Sequence, residues 1–411
     1  MRSSVVEHFT DNEEADGSIP SAPTFVLHGV HSGDDSHHVK LKIMNLPEEI
    51  KDILHSLQKA GFEAFVVGGC VRDILLKKEP KDWDIATSAT PEEIQKIFPK
   101  SFYTNKFGTV TILAPVLKEI EVTTYRTEAE YSDQRHPDKV SFTKRLEDDL
   151  SRRDFTINAL ALILETHPTP PLSGREKSVV IDGFTIIDPF GGLKDLNAGL
   201  IRAVGNPVER FQEDALRLMR AVRFTAQLNF EIEGDTLQAI KAQAVSIQAV
   251  SQERIRDELV KIIMSDNPEK AMNLLEYTGL LKEIFPELQE GVGVGQNKHH
   301  IFTVFEHCVK SLQFAADYDY SFQVRLAALL HDIGKPRTKR PQGNDYTFYA
   351  HEIVGAKMSE KLLKRLRFSA EDIHKISHLV RHHMFYYDIG KVTEAGMRRM
   401  LRRVGPENFD D

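Results

Sequence analysis

Only two cysteines, Cys70 and Cys308, occur in 411 residues, and they stand far apart. That excludes a disulfide-stapled scaffold and fits a reducing compartment. No apolar run approaches the roughly 20 residues of a membrane span, and no basic stretch followed by an apolar one marks a signal for export. The chain is therefore expected in the cytoplasm, with no membrane partner. Positive charge is not in excess: 53 Lys and Arg face 61 Asp and Glu, for a net charge of −8. A histone-like protein is excluded, and any contact with nucleic acid must come from a local cluster of cations. Nothing in the sequence fixes an oligomeric state. With 41% hydrophobic residues over this length, two or three cores are expected rather than one.

Residues 1–43 are rich in Ser, Asp, Glu and His and show neither helical nor strand periodicity. Ser3-Ser4-Val5-Val6-Glu7-His8 back-translates as a tRNA-like D-arm and Gly17-Ser18-Ile19-Pro20 as GGTTCGATTCC, a T-arm. The expectation is a translated tRNA gene with the start at Met44; the alternative is a disordered tail.

From Leu46 the periodicity is helical, with Ile50, Ile53, Leu54 and Leu57 on one face and Gly61 as the stop. The apolar run Phe65-Val66-Val67 then ends in Gly68-Gly69, and Val71-Arg72-Asp73-Ile74-Leu75-Leu76 has the spacing of a short helix. A buried strand, a tight turn and a helix N-terminus make a place for a phosphate. Asp82 and Asp84 flank Trp83; on a strand they share an edge and can hold one divalent cation. Thr90-Pro91-Glu92-Glu93 opens another helix. Thr109–Leu113 and Lys118–Thr124 read as a hairpin, with Glu121 between Ile120 and Val122. Arg126–Ser141 is polar and aperiodic and reads as a functional loop.

Gly68-Gly69-Cys70-Val71-Arg72-Asp73 with Asp82-Trp83-Asp84 resembles the first motif of class II tRNA nucleotidyltransferases, the CCA-adding enzymes, and of the closely similar bacterial poly(A) polymerases. The resemblance extends from about residue 44 to the C-terminus. It implies a third carboxylate ligand at Glu121, next to Thr-Tyr-Arg, and a role for the loop over 130–139 in the final adenosine addition. Arg152-Arg153-Asp154-Phe155-Thr156-Ile157-Asn158-Ala159 matches the second motif. The resemblance implies that its arginines face triphosphate and Asp154 the ribose, roles suited to guanidinium forks and a carboxylate acceptor. Asp188–Gly192 matches the third motif, and Glu213-Asp214-x-x-Arg217, with Arg220 and Arg223 beyond it, matches the fourth. On a helix Asp214 and Arg217 would lie side by side, so they form either an intrahelical ion pair or an edge that reads cytosine and adenine. Nucleotide contacts are thus expected from Gly68, Gly69, Arg72, Arg152, Arg153, Asp154, Asn158, Asp214, Arg217, Arg220 and Arg223. Arg254, Arg256 and Lys261 are candidates for the RNA backbone.

Beyond Gly291–Gly295 histidines accumulate. His307, His331-Asp332 within Leu326–Lys335, His351 and then His378, His382 and His383 resemble the HD metal-dependent phosphohydrolases. His307, His331, Asp332, His351 and His382 are the ligands this implies, for a divalent metal such as Mg2+, Mn2+ or Ni2+. Such domains usually draw a further acidic ligand from a later helix. Asp388 is a substitute, and a truncated domain is expected.

The fold class expected is α+β: a polymerase-beta-like head over 44–192 with a mixed sheet, an all-α neck over 193–290, and an all-α HD domain over 291–411. The function implied is addition of CCA to tRNA from CTP and ATP, with Mg2+ on Asp82, Asp84 and Glu121. A poly(A) polymerase or A-adding enzyme shares these motifs. The competing class is an HD phosphohydrolase whose N-terminal half only binds RNA.

Overall fold

All four side chains of the strand β1 (Ala64–Val67) are buried, which requires a sheet covered on both faces. The computed structural model describes residues 46–103, 108–129, 139–164, 178–181, 183–297, 301–384 and 393–405. The leader over 1–43, residues 130–138 of the expected functional loop, and Asp388 lie outside the described residues.

The first helix, α1 (Glu48–Lys59), ends before Gly61, whose φ of 91° suits only glycine well. After β1 come α2 (Gly69–Leu75), β2 (Asp84–Thr87) and α3 (Pro91–Ile97), the last opened by a reciprocal capping box between Thr90 and Glu93. Three strands follow, β3 (Ser101–Tyr103), β4 (Thr109–Ala114) and β5 (Lys118–Thr124). The expected hairpin is present, with Val110 opposite Val122 and Thr111 opposite Glu121. Next are β6 (Arg126–Ala129), β7 (Lys139–Phe142), α4 (Leu146–Ser151), β8 (Ala161–Leu164), β9 (Ser178–Ile181) and β10 (Phe184–Ile187). Eight of these strands form one mixed sheet in the order β3-β4-β5-β2-β1-β8-β10-β9. Strand alternation sends Val66, Ile85 and Val122 to one core with α1 and α3, and Phe65, Val67 and Ala86 to a second with α4.

The segment Arg126–Ser141 is not loop throughout. Its flanks pair as an antiparallel ribbon, β6 with β7, Arg126 opposite Phe142 and Ala129 opposite Lys139. A two-stranded ribbon has no buried face to impose apolar alternation, so its sequence shows none.

The remaining elements are α5 (Gly192–Asn197), β11 (Leu200–Ile201), α6 (Pro207–Glu213), α7 (Leu216–Leu228), β12 (Glu231–Ile232) and α8 (Gly234–Gln243). Then come α9 (Gln252–Ile263), α10 (Pro268–Thr278), α11 (Leu280–Ile284), α12 (Pro286–Gln289), α13 (Val304–Asp317), α14 (Phe322–Leu330) and α15 (Lys335–Thr338). The chain closes with β13 (Arg340–Gln342), β14 (Asp345–Thr347), α16 (His351–Arg365), α17 (Ala370–His382) and α18 (Glu394–Val404). Two short pairings, parallel β11–β12 and antiparallel β13–β14, interrupt segments expected to be wholly helical. The described residues form two compact units, one of 46–217 with Glu231–Ala239, the other of Leu218–Phe230 with 240–405. Within the second, buried Arg325 donates to the carbonyls of Ile263, Ser265, Ala316 and Tyr320, joining α9 to α13 and α14. No helix among the described residues is long and apolar enough to cross a membrane.

Candidate active sites

The head site begins at Gly68, the residue before α2, whose φ of 83° lies in the left-handed region. A Cβ there would stand 2.6 Å from Nη1 of Arg153 and 3.4 Å from Oδ2 of Asp84. The glycine is needed twice, for its backbone angle and because two functional side chains crowd it. β2 runs parallel to β5 with Asp84 directly abreast of Glu121, so two carboxylates far apart in sequence stand side by side on neighbouring interior strands. Asp82 is not on that strand. It lies exposed in the bend before β2, while Trp83 between the two is buried and anchors the bend.

Burial, then the charge of Asp82, push the Asp84 carboxyl up against the opposing pull of Arg153. Partial burial and the charges of Asp84 and Asp82 push Glu121 up as well. Carboxylates that resist ionising beside one another are what a divalent cation relieves. The trio is nonetheless open: among the described residues, three ligand atoms come within 4.8 Å of one another only in the histidine-rich clusters described below.

Arg152 and Arg153 reach the site from the end of α4. Asp149, fully buried, accepts from Arg152 at 2.8 and 3.0 Å and from Arg153 at 3.5 Å. Burial raises the Asp149 carboxyl, but the two arginines outweigh it and hold it below the usual range. Asp149 was not singled out from sequence; its spacing of three and four residues before the arginine pair is the signal that finds it. Arg72 is held by Asp73 at 2.8 Å and by Oδ1 of Asn158 at 2.7 Å, and Asn158 in turn donates to Asp154 at 3.1 Å. The Asp188 turn is a scaffold: its carboxylate accepts from the amides of Gly192 and Leu193, starting α5. A Cβ on Gly192 would meet the carbonyl of Thr156 at 2.2 Å.

The expected side-by-side pair of Asp214 and Arg217 is corrected. Asp214 is extended (φ −147°, ψ 105°) and breaks the helix between α6 and α7, accepting from the amide of Leu216. Arg217 pairs with Glu213 at 2.7 Å and donates to the carbonyls of Arg210 and Arg152. Asp214 thus stands at the start of α7 rather than within one helix with Arg217, whose ion pair is with Glu213. In the second unit Arg223 pairs with buried Glu258 at 2.6 Å and lies over the ring of Phe224, as does Arg220. Arg256 donates to the carbonyl of Arg367, and Lys261 pairs with Glu258.

The second site gathers around Asp332. His307 and His331 stand 3.4 and 3.3 Å from its Oδ2, and His351 and His383 stand 3.2 and 3.6 Å from its Oδ1. Each of His331, His351 and His383 places Nδ1 2.8 Å from a backbone carbonyl. A carbonyl only accepts, so Nδ1 carries the proton and Nε2 presents a lone pair. The Nε2 atoms of His351 and His383 then face each other at 3.2 Å, and buried Oδ1 of Asp332 has no hydrogen-bond donor. Imidazole lone pairs converging on a carboxylate oxygen that no donor satisfies fit a divalent metal. Lys335 adds an ammonium 2.6 Å from Oδ2.

His382 is not part of this cluster. One helical residue rotates the side chain by about 100°, so His383 faces Asp332 while the His382 ring packs 4.6 Å from that of His378. Substituting His383→Ala is expected to lower divalent-metal affinity about 10- to 100-fold or more, and His382→Ala to leave it within about twofold. Metal titration of the two variants by calorimetry checks this.

A mixed-sheet head with paired aspartates behind a glycine turn, followed by helices, defines a nucleotidyltransferase of the poly(A) polymerase type. Family models match in the same order: the "Poly A polymerase head domain" over 64–202, the "Probable RNA and SrmB- binding site of polymerase A" over 229–291 and the "HD domain" over 304–405. The chain is 46% identical over 257 residues to the CCA-adding enzyme of Ligilactobacillus salivarius, covering 60% of this chain and 59% of that one. To the CCA-adding enzyme of Lactobacillus johnsonii it is 47% identical over 248 residues, 59% of this chain and 58% of that one. The chain thus spans about three-fifths of the length of the curated relatives it matches. Its structure is similar to that of the Bacillus stearothermophilus CCA-adding enzyme in complex with CTP, with a TM-score of 0.54, 30% identity, and coverage of 87% of this chain and 82% of that one. The Thermotoga maritima CCA-adding enzyme complexed with tRNA_CCA shares the fold, at a TM-score of 0.54, 23% identity and coverage of 82% and 70%. The chain belongs to the CCA-adding enzyme family.

Proposed function

We propose that this chain adds CCA to the 3′ end of tRNA, using CTP and ATP, in the cytoplasm. The observation that carries the reading is the parallel pairing that sets Asp84 abreast of Glu121 beside Gly68 and Arg153. The same head fold occurs in a relative whose structure holds CTP. Asp82, Asp84 and Glu121 would hold Mg2+, which when bound favours ionisation of an attacking hydroxyl and offsets charge on departing pyrophosphate.

The chain's own groups do the positioning. Arg152 and Arg153, fixed from behind by Asp149, offer N–H donors to a triphosphate. Asp154, held by the amide of Phe155 and by Asn158, offers its carboxylate to a ribose hydroxyl. Incubating the protein with tRNA lacking its 3′ end and each labelled nucleotide tests the reading. Two C additions followed by one A are expected; A alone, or a long A tail, would replace it with the A-adding or poly(A) reading.

Base selection is assigned to Asp214 and Arg217. Arg217→Ala is expected to lose about 1 to 3 kcal/mol of discrimination, raising UTP and GTP incorporation relative to CTP and ATP by about one to two orders of magnitude. Arg217 is largely buried and also donates to the carbonyls of Arg210 and Arg152, so a purely structural role would lower stability without changing the ratio between nucleotides. The ratio of kcat/KM for CTP to that for UTP on one tRNA decides between the two roles.

The cluster around Asp332 supports a second, metal-dependent phosphohydrolase activity in the same chain, for which the orphaned Oδ1 is the motive. It would be read as release of phosphate from a generic phosphodiester or phosphomonoester, absent in His331→Ala.

A further inference from the structure

We propose that Lys335 is a resident cation of the Asp332 centre: its ammonium occupies Oδ2 of Asp332 and limits the centre to one divalent ion, taken at Oδ1 with His351 and His383. Only the need for a divalent ion, and not hydrolysis, is carried over from the phosphohydrolase reading. Two ligand groups share Asp332, with His307 and His331 on one side and His351 and His383 on the other. Their spacings do not separate them. From imidazole Nε2 to the nearer carboxylate oxygen the distances are 3.4 and 3.3 Å on the first side and 3.2 and 3.6 Å on the second. Both sets suit ligands placed around one ion at about 2.0 to 2.2 Å.

The hydrogen bonds do separate them. Nζ of Lys335 stands 2.6 Å from Oδ2, and its side chain is only 12% exposed, so the charge is built into the centre rather than hydrated beside it. Buried Gln296 holds it from behind, accepting from Nζ at 2.6 Å while its own Nε2 donates to the carbonyl of Phe302 at 3.2 Å. The backbone is fixed too. A Cβ on Gly334 would meet the carbonyl of His351 at 2.2 Å, so the turn that carries Lys335 is seated directly on α16. On this side Nε2 of His331 also has a neighbour, Nε2 of His307 at 3.0 Å, an atom that can carry the proton His331 accepts. On the other side no donor among the described residues reaches Oδ1, and Oδ1 with Nε2 of His351 and of His383 makes three acceptors 3.2 to 3.6 Å apart. Acceptors crowded together away from water cost free energy until a cation reaches them. A second divalent ion, on Oδ2, would have to displace the ammonium or face it, and like charges sharing one carboxylate repel.

The test counts ions and needs no turnover. The full chain carrying Asp84→Asn, which keeps the head carboxylates out of the count, is freed of metal and dialysed against Co2+, an ion that imidazole suits. One Co2+ per chain is expected. Adding Lys335→Gln should raise the count to two, and Lys335→Arg, which keeps a cation, should leave it at one. With Lys335 intact, His351→Ala should weaken binding of the single ion at least about 10-fold, and His307→Ala less than about threefold. Circular dichroism checks that each variant folds; should Lys335→Gln fail to, the comparison of the two histidine variants decides. Two ions in the parent chain, an unchanged count in folded Lys335→Gln, or equal losses from the two histidine variants would overturn the proposal and leave the metal-dependent reading standing. No bound Co2+ at all would remove both. A chain that binds one ion in this pattern and releases no phosphate would remove only the hydrolase reading.

Discussion

Asp84→Asn should abolish nucleotide addition, lowering kcat by about 10³- to 10⁴-fold, equivalent to about 4 to 5.5 kcal/mol of lost transition-state stabilisation. Asparagine keeps the volume and one oxygen but lacks the charge a cation needs. Affinity for tRNA should stay within about twofold, because the residue serves the reacting phosphate. Stability should hold or rise slightly, since burial and the charge of Asp82 already oppose ionisation of Asp84 in the fold. Single-turnover incorporation, filter binding and denaturant titration on one preparation separate the three effects. Incorporation at the wild-type rate would remove the head site from the mechanism.

The second large effect belongs to Asp149, which no substrate need touch. Asp149→Ala leaves two guanidinium groups, each with about a fifth of its side chain exposed, facing a buried gap. Breaking a buried pair by removing one partner costs about 3 to 5 kcal/mol. The arginines should also lose their aim, so KM for CTP and ATP should rise together and the preference between them should not change. The sign of the pH dependence follows from the lowered folded pKa. Its stabilising contribution is complete above the unfolded carboxylate value of about 3.9 and disappears as pH falls through the folded value below it. Denaturant midpoints of wild type and variant should therefore differ at pH 7 and converge in strong acid. A constant difference across that range would show that the effect is packing alone.

Much of the head was legible because its signals are local. The glycine pair after an apolar strand, the Thr90 cap and the β4–β5 hairpin each need only a few neighbouring residues, and each is present. Glu121 could be named as a candidate only through resemblance, because nothing in its own neighbourhood says that β5 lies parallel to β2. Errors arose where a side chain's direction depends on a break or a phase. Asp214 interrupts the helix that was expected to hold it beside Arg217, and His382 and His383 differ only in rotation about α17. The ribbon β6–β7 and the pairs β11–β12 and β13–β14 escaped because strands this short, with little buried surface, carry no periodicity. Asp149 is one acid among three in the first turn of α4; only its partners single it out.

The strand order has a consequence for how the protein reaches activity during synthesis. β1, which leads into Gly68, sits between β2 and β8, so Val66 pairs with Ile85 on one side and with Leu162 on the other. A ribosome must therefore deliver almost a hundred further residues before the strand that carries the glycine turn is closed on both edges. Non-local pairing of this kind is slow, because loop-closure entropy is lost before the contacts form. The arginine pair lies just upstream of β8, so the proposed cation site and the arginines proposed to face a triphosphate are completed by one closure late in folding. A nascent head released before residue 164 would possess Asp82, Asp84 and Glu121 and still be no part of an enzyme.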